Sequence, residues 1–192
     1  MHIEVQLSIH NSAGLNQAQH LASVVGKHIQ TLAEIKRAFE IILLPNGCTD
    51  NSDAIWLEIQ DRNTNVSVVS IPTGGWGLAV REGLKEAKGD IICYTNLART
   101  IPQDLCLMVL YGLTNRKSVI KANRKIRENW MRRLGSLVYN IQCRHIYDLS
   151  YWDINGTSKV FLRCYERLLQ LTRNDDLIDL EFHIICRQKQ YP

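Results

Sequence analysis

The chain reads as an α/β domain built on a mostly parallel sheet flanked by helices, and three observations predict it. Through the first half, a strand-like segment is followed four times by a helix-like one, the alternation that builds parallel sheets through right-handed crossovers. The run Phe39-Glu40-Ile41-Ile42-Leu43-Leu44 is apolar almost throughout, as a strand covered on both faces must be. Turn-forming residues stand at the carboxyl ends of the strands, where open α/β sheets gather their ligands.

The elements follow in order. Ile3 to Ile9 alternates apolar and polar residues as a strand does, and Leu21, Val24, Val25, His28, Leu32 and Ile35 then recur at helical spacing. The apolar run from Phe39 ends at Pro45 and Gly47, and residues Ser52 to Arg62 suit a second helix. Val66 to Ile71 reads as a third strand, followed by a helix from about Trp76 to Ala87. Asp90 to Thr95 reads as a fourth strand, and Pro102 opens the next helix, a position where its missing N–H costs nothing.

The second half is less regular. It holds a basic strand-like segment near Val119, a helix from about Trp130 to His145 with Leu134, Leu137, Val138 and Ile141 on one face, a short strand at Lys159 to Leu162, and a helix from Leu177 to about Lys189.

A chain of 192 residues, 45% hydrophobic and 22% charged, suits one domain that buries its own core without a disulfide or metal staple. No repeat or linker-like tract divides it. Its six cysteines lack any Cys-x-x-Cys pair or zinc-ligand spacing and read as buried free thiols. The N-terminus resembles neither a signal peptide nor a membrane span, and the longest apolar stretch, Cys106 to Leu113, is too short to cross a bilayer, which predicts a cytoplasmic protein.

The net charge of +4 is unevenly placed. Residues 116 to 133 carry Arg116, Lys117, Lys121, Arg124, Lys125, Arg127, Arg132 and Arg133 against the single acid Glu128, which predicts an anionic partner.

Several groups of residues have chemistry worth weighing. The Gly74-Gly75-Trp76-Gly77 turn at a helix N-terminus either brings backbone N–H groups to a phosphate or is a flexible turn; it matches neither a P-loop nor Gly-x-Gly-x-x-Gly. Asn46, at the mouth of a buried strand, either matches the edge of a nucleobase or forms the turn. Asp50 has the position of a helix cap.

Arg124, Arg127, Arg132 and Arg133 either grip phosphate oxygens bidentately or form a solvated basic face. With Trp130 and Met131 interleaved, a third reading is an amphipathic stretch on an anionic membrane surface. No nucleic-acid signature with stacking aromatics is present. Asp175, Asp176, Asp179 and Glu181 either complement the dipole of the last helix or supply a general base for a hydroxyl acceptor.

The order of these motifs resembles glycosyltransferase family 2, and within it the dolichyl-phosphate mannosyltransferase-like branch. FEIILLPNGCTDNS is similar to the family's strand and Asp-rich turn, and IPTGGWGLAVREGLKEAKGDIICYT to its Gly-rich helix and fourth strand. Asn11 matches the Asn of the first-strand motif. WMRRLGSLVYN and DINGTSKVF resemble the segment that shapes the family's acceptor side, with Asp153, Asn155, Lys159 and Phe161 in order.

The resemblance implies a single Rossmann-like nucleotide-sugar fold of the GT-A type, with residues 1–115 as the nucleotide-sugar half and 116–192 as the acceptor half. It implies a nucleoside diphosphate sugar held by Asn11, Asn46, Asp50, Gly75, Gly77 and Asn96, and an acceptor phosphate, such as a polyprenyl phosphate, at Arg124 and Arg132 or Arg133.

The family's Asp-x-Asp metal pair corresponds here to Asn96 and Ala98, its turn aspartates to Pro45 and Asn46, and the acids after Asn11 to Ser12 and Ala13. One neutral amide is a poor ligand for a hard divalent ion, so no metal cofactor is expected and Mn or Mg binding is weak or absent. Arg99 is then the cation placed to neutralise a leaving diphosphate, and Asp176 or Asp179 the base. Two functions fit: a hexosyltransferase working without the usual metal, acting on a lipid phosphate or a hydroxyl, or an inactive relative that binds a partner or membrane.

Overall fold

The structure is a computed structural model that describes residues 1–10, 15–47, 53–123 and 130–192, without the side chains of 10, 15–21, 53, 132 and 133. Strands β1 (Ile3–His10), β2 (Phe39–Asn46), β3 (Val66–Val68), β4 (Ile91–Asn96), β5 (Ile120–Lys121) and β6 (Lys159–Leu162) form one sheet in the order β3-β2-β1-β4-β6-β5. The first four run parallel, while β6 lies antiparallel to both β4 and β5. Strands of both halves of the chain thus share one mostly parallel sheet, as expected.

Helices α1 (Leu15–Ala33), α2 (Asp53–Arg62), α3 (Trp76–Glu86), α4 (Pro102–Thr114), α5 (Trp130–Tyr147) and α6 (Ile178–Lys189) flank it, with short 3-10 turns at Leu97–Arg99 and Glu166–Leu169. On one face, Ile3, Val5, Leu7, Ile41, Leu43, Ile91 and Cys93 pack with Val25 and Leu32 of α1, Trp56 of α2 and Leu105 and Val109 of α4. On the other, Ile92, Tyr94 and Phe161 meet Val80 and Leu84 of α3 and Ile178, Phe182 and Cys186 of α6. Among the described residues, no helix is long and apolar enough to cross a membrane.

One strand is shorter than expected for an identifiable reason. The third strand ends at Val68 instead of Ile71, although Val69 N–H still reaches Leu43 O at 2.9 Å and Ile71 N–H reaches Pro45 O at 2.8 Å. Pro45, whose ring leaves no N–H, cannot complete the ladder between these two bonds.

The alternation in β1 does not mark a face open to water. Glu4, Gln6 and Ser8 are all buried beneath α3 and the turns around it. The Glu4 carboxylate accepts from Lys88 and Gly89 N–H, and Gln6 Nε2 donates to Glu4 Oε1 and to Gly83 O, both at 2.9 Å. The polar positions of a central strand here tie down the end of α3, while the buried Gln6 Oε1 has no hydrogen-bond partner.

The cysteine reading needs one correction. Cys93, Cys106, Cys143 and Cys186 are buried, but Cys164 is exposed in the turn after β6. Cys48 lies outside the described residues.

Helix α5 forms where the periodicity placed it. It rests on α6 through Tyr139 and Cys143, which pack with Leu180 and Ile184, and Asn140 Oδ1 accepts from Ile154 N–H at 3.0 Å. Its apolar stripe, Leu134, Leu137, Val138 and Ile141, faces outward and is exposed.

Candidate functional site

Sheet order locates the site. The chain crosses from β1 to β2 and on to β3 on one side, then returns through α3 to β4 on the other side of β1, so the carboxyl ends of β1 and β4 border the crevice where the connections diverge. There Ser8 pairs in register with Asn96, and His10 with Asn46.

Asn46 is fully buried, and its carboxamide is turned inward. Nδ2 donates to Ser8 Oγ at 3.0 Å and Oδ1 accepts from Gly75 N–H at 3.2 Å. In this arrangement Asn46 holds the Gly-rich turn against β1 and β2. Gly47, with φ 65°, completes the junction, since a Cβ there would stand 2.8 Å from Gly74 Cα.

The Gly-rich turn likewise serves close approach instead of offering an open phosphate cradle. Gly75 N–H is spent on Asn46, and Leu78 N–H donates to Asn174 O at 3.1 Å. A Cβ on Gly77 would lie 2.6 Å from the carbonyl carbon of Asn174, so segment 174–175 seals the start of α3.

Asn96 ends β4 as the cap of the 3-10 turn, its Oδ1 accepting from Ala98 N–H at 3.1 Å. The turn is braced by Thr100 Oγ1, which donates to Asn96 O at 2.8 Å, and by Thr95 Oγ1 and Ser158 Oγ 2.8 Å apart. Ala98 and Arg99 are exposed at its tip.

The two proposed bases separate. Asp176 is exposed in the turn before α6. Asp179 is 3% exposed and forms an ion pair with the fully buried Lys159 on β6, while its Oδ2 accepts from Trp76 Nε1 at 3.1 Å. Lys159 Nζ also donates to Gly156 O at 2.6 Å and lies above the Tyr94 and Phe182 rings, 5.4 and 5.7 Å from their centroids. Enclosed in this way, the Asp179 carboxylate ties α3, β6 and α6 together.

That ion pair escaped the sequence reading as a unit, though a signal existed. Lys159 and Phe161 share a strand face by period two, and Asp179, Phe182 and His183 share a helix face. The pair links the start of α3 to the 153–156 loop, where Lys121 Nζ donates to Asp153 O at 3.1 Å. Asn11, Asp50 and Arg124 lie outside the described residues, as do the side chains of Arg132 and Arg133 on the first turn of α5.

Beside this network, His183 Nε2 sits 3.2 Å from Ile154 O, and burial, with the Lys159 and Lys121 charges adding to it, pushes its pKa down to about 3. The unfolded chain binds this proton near the ordinary value of 6.5 and the folded one does not. Stability from this group is complete above about 6.5 and falls as pH drops toward 3. Denaturation midpoints measured from neutral to acidic pH should fall in that window, with a shallower slope in His183→Leu; an equal slope in both would assign the loss to other groups.

The model of the family described as "Glycosyl transferase family 2" matches residues 18–163, more than half of the chain. The chain belongs to this family. No curated protein matches it.

Among solved structures, the domain is similar to Staphylococcus aureus TarS 1-349 in complex with UDP-GlcNAc, at 20% identity and TM-score 0.58, covering 96% of this chain and 54% of that one. It is similar to glucosyl-3-phosphoglycerate synthase of Mycobacterium tuberculosis with Mn2+, UDP and phosphoglyceric acid, at 16% identity and TM-score 0.66, covering 97% and 64%. A third is the Pyrobaculum calidifontis mannosyltransferase PcManGT with GDP-Man and Mn2+, at 14% identity and TM-score 0.55, covering 91% and 50%. The family 2 domain described here thus shares their fold and spans between half and two thirds of their length.

Proposed function

We propose that this domain binds a nucleoside diphosphate sugar across the carboxyl ends of β1 and β4 and takes part in hexose transfer to a lipid-phosphate or hydroxyl acceptor. The observation that carries the reading is the crevice itself: the divergence between β1 and β4 falls where the capped turn Asn96–Arg99 presents an exposed guanidinium. Asn11 and Asp50 are assigned to the nucleotide, with Asn46 and Gly75 shaping the floor. Arg99 would neutralise the departing diphosphate. Arg124, Arg132 and Arg133 are assigned to an acceptor phosphate, which a polyprenyl phosphate on the cytoplasmic side of a membrane would supply.

Among the described residues of this edge, the donor set does not fit a divalent ion. It offers the amide oxygen of Asn96, already accepting from Ala98 N–H, and an alanine where the family pair has its second carboxylate. No step is therefore routed through a metal. A second reading, a non-catalytic binding protein, draws support from the enclosure of Asp179, which leaves the exposed Asp176 as the candidate base.

A thermal-shift titration with UDP and GDP, each with and without Mn2+, tests the shared part of both readings. A nucleotide at a hundredfold excess over its Kd should raise stability by about 2.7 kcal/mol, nearly equally with and without Mn2+. No shift with either nucleotide would remove the binding site, and a shift only with Mn2+ would restore a metal role. Release of UDP or GDP from UDP-glucose or GDP-mannose on adding a polyprenyl phosphate then separates the catalytic reading from the non-catalytic one.

A further inference from the structure

Helix α5 is amphipathic with its faces reversed. The side toward the body carries Ser136, Tyr139, Asn140 and Cys143, and the outward side carries Trp130, Met131, Leu134, Leu137, Val138 and Ile141, between 45% and 72% exposed. At 100° per residue these six fall within roughly 120° of the helix circumference, a continuous stripe along 18 residues. Leucine and isoleucine rarely stand out in such a row on a free surface, so something apolar covers them.

Charge decides what covers them. Helix α5 contains Arg132, Arg133 and Arg144 and no acid, and the segment leading into it adds further Lys and Arg. A second copy of the chain placed face to face would oppose these cations. A surface that is apolar inside and anionic outside complements both features.

The aromatic rim fits the same surface. Trp130 opens the stripe, and Trp152, 46% exposed, lies under the Arg144 guanidinium at 4.1 Å. Amphipathic aromatic rings favour the boundary between headgroups and acyl chains.

We infer that the outward face of α5 seats the domain on an anionic lipid bilayer, with the stripe at the acyl boundary. Its placement suits a lipid-borne acceptor. The chain enters α5 after β5, whose end lies at the carboxyl edge, and returns by the 152–158 segment to start β6 at that edge. The inference rests on the proposed function only for the purpose of the docking; the contact itself requires no nucleotide.

Sedimentation of the full chain with vesicles of phosphatidylcholine, alone or mixed with phosphatidylglycerol, tests it at low and physiological salt. Binding to mixed vesicles should exceed binding to neutral ones by about tenfold or more. The pair Leu134→Gln with Ile141→Gln, and separately Leu137→Gln with Val138→Gln, should lose about tenfold of that binding while melting like the parent, because these side chains are already solvent-facing.

Undiminished binding by both well-folded pairs would reduce the contact to charge alone and overturn the seating. Absence of vesicle binding by the parent would overturn it as well. If light scattering then showed a dimer that the same variants dissolve, a second copy would be the occupant. Nucleotide titration of the parent runs independently: failure there with intact vesicle binding removes the proposed function and leaves the docking face standing.

Discussion

Lys159→Met should destabilise the domain by about 3–5 kcal/mol, because it strands the Asp179 carboxylate in a site that is 3% exposed. The cation it removes is fully buried, sits over two aromatic rings and holds Gly156 O as well as Asp179. Replacing both partners, Lys159→Met with Asp179→Leu, should recover most of the loss, since a buried ion pair is often no more stabilising than well-packed apolar groups. The double variant still lacks the acceptor for Trp76 Nε1. Urea denaturation of the two single variants and the double gives the coupling energy. Additive losses would mean that the two side chains act separately, against the geometry.

Gly77→Ala carries the second large effect. The new Cβ would lie 2.6 Å from the Asn174 carbonyl carbon and 2.7 Å from Asp175 N, and both are backbone, so either α3 or segment 174–175 must move. Overpacking of this kind costs about 1–3 kcal/mol. It should also weaken nucleotide binding, because α3 begins next to the turn that Asn46 anchors. Gly135→Ala is the control with the opposite sign. It lies within α5 with nothing within 4 Å of the added Cβ, so the gain in helix propensity, about 0.5–1 kcal/mol, should appear as increased stability. Equal losses in both variants, measured by urea denaturation, would contradict the close approach at Gly77.

Much of the fold was legible in the amino-acid sequence because its signals are local. The apolar run from Phe39 made a strand covered on both faces, Pro102 opened α4, and Lys159 to Leu162 formed β6 as read. These depend on periodicity and on the φ and N–H limits of proline, which neighbours in the chain determine. The family was legible for the same reason: its motifs lie in order along the chain, and the matching family model covers residues 18–163.

Tertiary structure alone decided how those signals are used. Periodicity shows which residues share a face but not what covers that face, so the stripe of α5 was visible while its outward direction was not. Asn46 stood at the mouth of a buried strand by sequence, and the crossovers placed Ser8 on one side of it and Gly75 on the other. Asp179 belonged to a helix start by sequence and to a buried ion pair by packing, because β6 brings Lys159 from 20 residues away in the chain to its carboxylate. Such long-range partners are set by strand order, and the free energy of burying a charge makes each of them all or nothing.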